Sequence, residues 1–172
     1  IDILNPFEST RTANNDSLVL RISFGQTIFL FTGDIEREAE TTLLSENTPL
    51  KADVIKVPHH GSDRNMETIF FERVKANHYV FSGNGENGNP ERKTLEMLLD
   101  ARGNDDFAVH LTYPISEIDT ARKADWNKQR DKEVAKKKKK PNIKVRETWS
   151  DEKHSLASFF TSNKAFAKKV QF

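Results

Sequence analysis

Short apolar segments that each run into a polar loop constrain the fold of this chain more than any other feature. Residues 18–24 and 27–31 are apolar and flank Gly25 and Gln26, a two-residue connection typical of a β-hairpin. The second segment continues into Thr-Gly-Asp at 32–34 and then into an amphipathic stretch, 35–44. This order predicts a strand, a sharp turn and a helix.

The same unit recurs twice more along the chain. Strands are predicted at 52–57, 78–81 and 107–111, loops at 58–62 and 83–89, and helices at 66–74 and from Pro90 onward. A polar entry segment, residues 1 to about 16, precedes them. Alternation of strands and helices predicts an α/β (α+β) domain over 1–113, and residues 114–172 are predicted to be a basic helical extension and aromatic tail packing on that domain.

Composition excludes several classes of function. The chain has 172 residues, five His and no Cys, so thiol chemistry and disulfides are impossible, and a transition-metal site would need His, Asp or Glu. No apolar run approaches the ~18 residues of a membrane span, which predicts a soluble, cytoplasmic protein. The missing initiating Met favours the interpretation that the chain is part of a longer protein. If that longer protein is a membrane protein, a periplasmic or cell-surface setting would follow.

Charge is concentrated in one region of an otherwise balanced chain. The formal net charge is +1, but residues 121–140 alone carry +7. This region contains the run Lys136, Lys137, Lys138, Lys139 and Lys140. Such a run is either a solvated helix face or a contact for the phosphate backbone of nucleic acid.

The informative loops follow strand ends, where α/β folds gather ligand-binding groups. Asp34 follows the second strand and could cap the next helix or hold a divalent metal ion. His59 and His60 follow the third strand, between Pro58 and Gly61. Adjacent side chains diverge, so the pair suits one inward ligand or proton donor and one supporting residue. His60 is predicted to be the inward one, although a surface pair without function remains open.

Three segments in this order resemble a known family. They are Asn-Asp-Ser-Leu-Val-Leu at 15–20, Phe-Leu-Phe-Thr-Gly-Asp-Ile-Glu at 29–36 and Val-Ile-Lys-Val-Pro-His-His-Gly-Ser at 54–62. The chain is similar here, from about Asn5 to Arg102, to the C-terminal half of the metallo-β-lactamase-like domain of the DNA-uptake competence proteins of the ComEC type. The resemblance does not extend to the tail after Tyr113.

The resemblance implies a fold, a cofactor and a reaction. The fold is an αββα sandwich with a dinuclear site for zinc or manganese that activates water for hydrolysis, in related nucleases of a phosphodiester. Asp34 matches the metal-bridging aspartate, His59 is a second candidate metal ligand, and His60 or His59 matches a histidine that could protonate the leaving oxygen.

The chain departs from the family in two places. The His-x-His-x-Asp-His motif of the family's first half is absent, so that half was removed, lies on another chain or has been lost. Asn89 stands where the family often has a histidine ligand, and an amide is a poor ligand for a transition metal. One metal ion, or none, is therefore a further expectation.

Two hypotheses of different class follow. In the first, the chain is part of a metal-dependent phosphodiesterase whose activity requires the N-terminal half. In the second, it is a degenerate, non-catalytic module that binds nucleic acid or a protein. A hydrolase of small esters or lactams on the same fold is a third possibility. His78 and His110 are predicted to be structural in either case.

Overall fold

The computed structural model describes residues 1–4, 13–45, 50–64 and 66–171; residues 5–12 of the predicted entry segment lie outside it. Its seven strands form one sheet in the order of the chain, antiparallel from β1 to β3 and parallel from β3 to β7. The strands are β1 (Asp2–Ile3), β2 (Leu20–Phe24), β3 (Thr27–Phe31), β4 (Val54–Lys56), β5 (His78–Phe81), β6 (Ala108–Leu111) and β7 (Val170–Gln171).

Helices connect the parallel strands. They are α1 (Arg37–Ser45), α2 (Thr68–Arg73), α3 (Arg92–Arg102), α4 (Ile115–Lys139), α5 (Asp151–His154), α6 (Leu156–Ser162) and α7 (Lys164–Ala167), with single 3₁₀ turns at Ala13–Asp16, Pro58–Gly61 and Glu86–Gly88. Among the helices of the described ranges, none combines the length and apolar character that a membrane span requires.

The hairpin and the strand–helix order expected from the sequence are confirmed, but α1 begins two residues later than predicted. The reason is that the backbone N–H of Glu36 donates to the Asn15 side chain at 2.9 Å, which holds the loop before the helix in place. The helix after Pro90 likewise begins at Arg92, because the N–H of Glu91 donates to the carbonyl of Gly61 at 2.9 Å. Contacts with distant loops, not helix propensity, set both boundaries.

One row of the sheet carries the hydrophobic core. Leu30, Ile55, Tyr79 and Val109 are register neighbours on β3 to β6, and each is at most 2% exposed. From β3 to β7, each parallel strand lies next to the strand that precedes it in the chain. Because such crossover connections are right-handed, the helices that connect these strands all lie on one face of the sheet. Phe71 of α2 accordingly packs edge-on against Tyr79.

Within the described residues, the opposite face of the sheet has no helix layer over it. On this face, Phe29 of β3 is the register partner of Val54 of β4. In the next row, Phe31 of β3 pairs with Lys56 of β4, which pairs with Val80 of β5. Phe31 is 44% exposed, an unusual setting for an aromatic side chain on a sheet face. The described residues thus form two layers, one of helices and one sheet. Two layers are what half of an αββα sandwich requires, and the sandwich itself stays a prediction.

The C-terminal tail joins the same core. Leu156, Phe159, Phe160 and Phe166 are buried in it, and β7 adds a parallel strand beside β6. The aromatic residues that the sequence places after the basic helix therefore close the end of the sheet.

His78 and His110 form a pair on the open face. Nδ1 of His78 lies 3.0 Å from Nε2 of His110, within hydrogen-bond distance. Burial, and then the neighbouring His78, lower the pKa of His110. This contact joins β5 to β6.

Glu40 is a buried acid in the helix layer. It is 4% exposed. Burial, and then the negative charge of nearby Glu67, raise the pKa of Glu40 to about 8, although the positive charge of Arg37 opposes this shift. Glu40 is therefore largely protonated in the folded chain at neutral pH.

Glu40→Gln should become more stabilising as pH rises. Between pH 4.5 and about 8 the unfolded chain releases the Glu40 proton while the folded chain keeps it. Wild-type stability then falls by up to ~1.4 kcal/mol per pH unit. Urea denaturation between about pH 5 and pH 8 measures the difference, with Glu72→Gln on the exposed side of α2 as control. If the difference in unfolding free energy between Glu40→Gln and wild type does not change with pH, the raised pKa of Glu40 is contradicted.

Candidate active site

Three loops meet at the edge where β3, β4 and β5 end. Because these strands are parallel and adjacent, their carboxyl ends lie side by side. The loops contribute Asp34 after β3, His59 and His60 after β4, and Ser82 after β5.

Gly33 aims Asp34 into this edge. Its φ is +57°, and an added Cβ would lie 2.7 Å from the Cβ of Ser17, so only glycine fits. Thr32 is fully buried and donates to the carbonyl of Lys56 at 2.6 Å, which ties the turn to β4. The Asp34 carboxylate contacts Lys56 and His60, and α1 begins three residues later. Asp34 therefore does not stand at the first turn of α1, which argues against the capping interpretation, and its role as a metal ligand stays a prediction.

Lys56 supplies the positive charge beside Asp34. Its Nζ lies 3.2 Å from Oδ1 of Asp34 and donates to the carbonyl of Gly33 at 2.6 Å. Burial alone would raise the pKa of Asp34, but Lys56, with His60 and His59, outweighs burial and lowers it. Burial lowers the pKa of Lys56, and Asp34 opposes this shift. The carboxylate is therefore ionised at neutral pH.

The sequence reasoning missed Lys56. A usable signal was present, because a lone lysine stands among the apolar residues of a short strand, between Ile55 and Val57. Its stem lies on the open face of the sheet, in one row with Phe31 and Val80. The ammonium reaches the strand edge from that face, so the site borders the uncovered side of the sheet.

The histidine loop has an unusual backbone. His59 and His60 both have positive φ, 47° and 56°, a conformation that side chains with a Cβ rarely adopt. Neighbouring groups hold it: the N–H of His59 donates to the carbonyl of Gly33 at 3.2 Å, and the carbonyl of His59 accepts from Asn89 at 3.3 Å. Strained backbone that its surroundings hold in this way is concentrated at functional sites.

The two imidazoles lie near different carboxylates, and His60 is the one that faces Asp34. Its Nε2 lies 3.4 Å from Oδ1 of Asp34, and its Nδ1 lies 3.0 Å from the hydroxyl of Ser82. Burial, and then the positive charge of Lys56, lower the pKa of the His60 imidazole. The negative charge of Asp34 opposes this shift. Nδ1 of His59 lies 3.9 Å from a carboxylate oxygen of Glu36.

The donors of the described residues do not complete a metal site. No group of three or more His, Asp or Glu within 1–4, 13–45, 50–64 and 66–171 is arranged to hold a metal ion. Asp34 supplies one carboxylate, but the Lys56 ammonium already neutralises it. Any metal at Asp34 would therefore need ligands from outside these residues.

Asn89 lies beside the histidine loop. Its side chain is 8% exposed and supports the histidine loop through its Nδ2. Its Oδ1 is buried and finds no hydrogen-bond partner among the described residues. Asn89 thus acts on the backbone of His59 and supplies at most one weak oxygen ligand.

The lysine run lies away from this edge. Lys136 to Lys139 form the exposed last turn of α4, and Lys140 follows it. α4 begins at Ile115, so Lys136 lies ~30 Å along the helix from its start. The run and the Asp34–His60 contact are separate features.

A cleft of about 690 Å³ lies between part of the extension and the loops at the strand edge, and its lining includes Arg64, Glu91, Trp126 and Arg146. Glu91 is also bonded to the histidine loop through its backbone N–H, which donates to the carbonyl of Gly61. Burial, and then the adjacent Asp63, raise the pKa of Glu91 to about 7. No sequence signal identified this cleft, because its walls come from distant segments.

Gly61→Ala should destabilise the histidine loop. Gly61 has a φ of +86°, and an added Cβ would lie 2.7 Å from the Phe81 ring. The expected loss is ~1–3 kcal/mol from steric overlap, in addition to the backbone cost. Gly88→Ala is the matched control, since Gly88 has a φ of +89° and open space around it. Equal losses by urea denaturation in the two variants would contradict the close packing.

Comparisons with known proteins find similarity over up to half of the chain. It is 34% identical over 87 residues to ComE operon protein 3 of Bacillus subtilis, which is 49% of this chain and 11% of that protein. It is 37% identical over 67 residues to protein YcaI of Escherichia coli, 38% of this chain and 9% of that protein. It is also 34% identical over 86 residues to human microtubule-associated protein 1A, 49% of this chain and 3% of that protein.

The chain thus spans about a tenth or less of the length of these curated relatives. No protein-family model matches it. No solved structure matches it. The similarity supports a distant relationship to a protein with a competence-related name over half of the chain.

Proposed function

We propose that the chain is the C-terminal half of a metallo-β-lactamase-like sandwich. The open sheet face supports this, because a sheet face with a 44% exposed Phe31 is expected to be covered by another layer. The site borders the same face through Lys56. A second half docked there would bring its own side chains to Asp34.

The assembled protein would be a phosphodiester hydrolase. The single observation that carries this proposal is the contact between Asp34 and His60, which joins the Thr-Gly-Asp and His-His-Gly-Ser motifs at one strand edge. A divalent ion, zinc or manganese, would polarise the phosphoryl group and activate water there. Asp34 would be the ligand from this chain, with His59 as a second candidate, and the remaining ligands would come from the other half.

The roles of the chain's own residues follow from their contacts. Asp34 remains an ionised carboxylate because Lys56 lies 3.2 Å away. His60 presents its Nε2 on the Asp34 side, where a proton can pass to a leaving oxygen. Asn89 and Gly61 hold the backbone that aims this ring.

Variants of the full-length protein test this function. His60→Gln should lower the kcat for bis(p-nitrophenyl) phosphate by ~10²–10⁴-fold with metal content retained, because it removes the proton donor. Asp34→Asn should lower both metal content and rate. His59→Gln should lower metal content if His59 is a metal ligand, and should leave metal content unchanged if His59 only supports His60. Metal analysis and initial rates are the measurements, with Glu72→Gln as control.

The outcomes separate the alternatives. A wild-type protein that binds no metal and hydrolyses no phosphodiester would overturn the proposal and favour the non-catalytic module. Metal content that is unchanged in Asp34→Asn would remove Asp34 from the ligand set.

Nucleic-acid binding by the extension is a second candidate function. The exposed lysines at 136–140 stand at the C-terminal end of α4, where the helix dipole also favours cations. A phosphate backbone would bind there independently of base sequence. This function does not depend on the Asp34–His60 site and would serve a hydrolase or a binding module equally.

Replacing Lys136, Lys138 and Lys140 by Gln should weaken binding of the chain to single-stranded DNA. The slope of log K against log salt should become shallower by ~0.7 for each lysine that contacts a phosphate. Fluorescence anisotropy over a series of salt concentrations measures the slope. Lys164→Gln with Lys168→Gln, at the other end of the extension, is the control. An equal slope in wild type and triple variant would contradict the assignment.

A further inference from the structure

The Arg122 guanidinium joins three segments of the chain. Arg122 lies on α4 and is 7% exposed. Its Nε donates to the carbonyl of Gly88 at 3.1 Å, in the loop between β5 and α3. Its Nη1 donates to the carbonyl of His154 at 2.8 Å, at the end of α5, and to Oδ1 of Asp119 at 3.2 Å. One side chain therefore connects the basic extension, the C-terminal tail and a loop beside the site.

Asp119 fixes Arg122 from the side of the tail. Its side chain is 14% exposed and accepts the backbone N–H groups of Leu156 at 2.8 Å and Ala157 at 2.9 Å, in the first turn of α6. The same carboxylate neutralises the buried guanidinium, so removal of the positive charge would leave a buried carboxylate unpaired. A lysine would keep the charge but not the fork of donors. The hydrogen bonds of Arg122 can thus be tested separately from its charge.

The loop that accepts from Arg122 is closely packed. Gly85 has a φ of +94°, and an added Cβ would overlap the carbonyl oxygen of Ile118 on α4. The N–H of Gly85 donates to the carbonyl of Asn89 at 2.7 Å, and the N–H of Gly88 donates to the carbonyl of Gly85 at 3.1 Å. Gly88 and Asn89 therefore share one closed turn, so a shift of the Gly88 carbonyl also moves Asn89.

Asn89 transmits this position to the histidine loop. Its Nδ2 donates to the carbonyl of His59 at 3.3 Å, next to the two residues with left-handed backbone. The same His59 carbonyl accepts the N–H of Ser62 at 3.0 Å, which closes the loop. Left-handed backbone at residues with a Cβ persists only where surrounding contacts hold it. A continuous line of contacts thus leads from Arg122 through Gly88 and Asn89 to His59.

We propose that Arg122 is a positioning residue that fixes the Gly88 carbonyl and, through Asn89, the backbone of the histidine loop. Its consequence for catalysis rests on the proposed function, in which the His60 ring must keep its place beside Asp34. The placement of the loop is a property of the chain itself. By this proposal the extension, which the resemblance to the competence proteins does not cover, supports the site.

Amide hydrogen exchange of the chain, followed by NMR, tests the placement. Arg122→Lys keeps the charge that Asp119 requires but loses the fork that reaches two carbonyls. It should raise the exchange rates of the Gly85 and Ser62 amides about tenfold or more, because both donate to carbonyls on this line of contacts. The amide of Ala108, at the opposite edge of the sheet, should exchange as in the wild type. Unchanged rates for Gly85 and Ser62 would overturn the proposal.

Arg92→Lys is the matched control. Arg92 also holds a tail carbonyl, that of Glu152, at 2.8 Å, and its guanidinium lies 5.7 Å from the centre of the Phe159 ring. Among the hydrogen bonds of the described residues, however, its side chain makes none to the loop at 83–89. If Arg92→Lys speeds the exchange of Ser62 as much as Arg122→Lys does, Arg122 only stabilises the tail and the proposal fails.

A double-mutant cycle tests the route through Asn89. Asn89→Ala removes the donor to the His59 carbonyl and should also speed the exchange of Ser62. Arg122→Lys added to Asn89→Ala should speed it no further, because both changes break the same line of contacts. Effects that multiply independently would overturn the route.

A measurement on the wild type decides the case if Arg122→Lys does not fold. The Gly85 and Ser62 amides should then have protection factors that agree within about threefold, because one set of contacts holds both in a single cooperative unit. A larger difference would show that the two loops open independently and would overturn the proposal.

Kinetics of the full-length protein separate this proposal from the proposed function. If the protein hydrolyses bis(p-nitrophenyl) phosphate, Arg122→Lys should lower kcat about tenfold with little change in KM or metal content, and Arg92→Lys should not. An unchanged kcat in Arg122→Lys would overturn the catalytic consequence. If no hydrolysis occurs, the proposed function fails, while the exchange rates still decide the placement of the loop.

Discussion

Burial of the row Leu30, Ile55, Tyr79 and Val109 beneath the helices is the constraint on which the rest of the structure depends. This row fixes the register of four parallel strands, because a shift by one residue would turn every side chain to the opposite face. The register in turn determines where each strand ends. The three site loops meet only because β3, β4 and β5 end side by side at one edge.

The register also explains the electrostatics of the site. Lys56 follows Ile55, so its stem lies on the face that the helices leave open and its ammonium can reach Asp34. Burial by itself would raise the pKa of Asp34, and the Lys56 ammonium offsets that effect. The carboxylate therefore stays ionised beside the His60 ring. One lysine on a buried strand thus controls the charge state of the neighbouring carboxyl group.

Local patterns in the sequence predicted the parts of the fold that depend on neighbours along the chain. The hairpin at Gly25 and Gln26 and the strand–loop–helix order were predicted because period-two and helical patterns are local. Helix starts were less accurate, since Asn15 and Gly61 reach them from distant segments. The meeting of Asp34 with a histidine was predicted from a rule about strand ends, and the role of either residue in hydrolysis stays a prediction.

Other site features had no local pattern to reveal them. Ser82 carries no motif, and its 3.0 Å contact with the His60 ring spans 22 residues of sequence. The sequence by itself determined the residue types, the strand–helix order and the loops that carry Asp34 and His60. Only the tertiary structure decided which histidine faces Asp34, that Lys56 neutralises it and that one sheet face stays open. The physical reason is that these outcomes depend on strand register and on left-handed backbone held by distant hydrogen bonds, and neither property is encoded within a short segment.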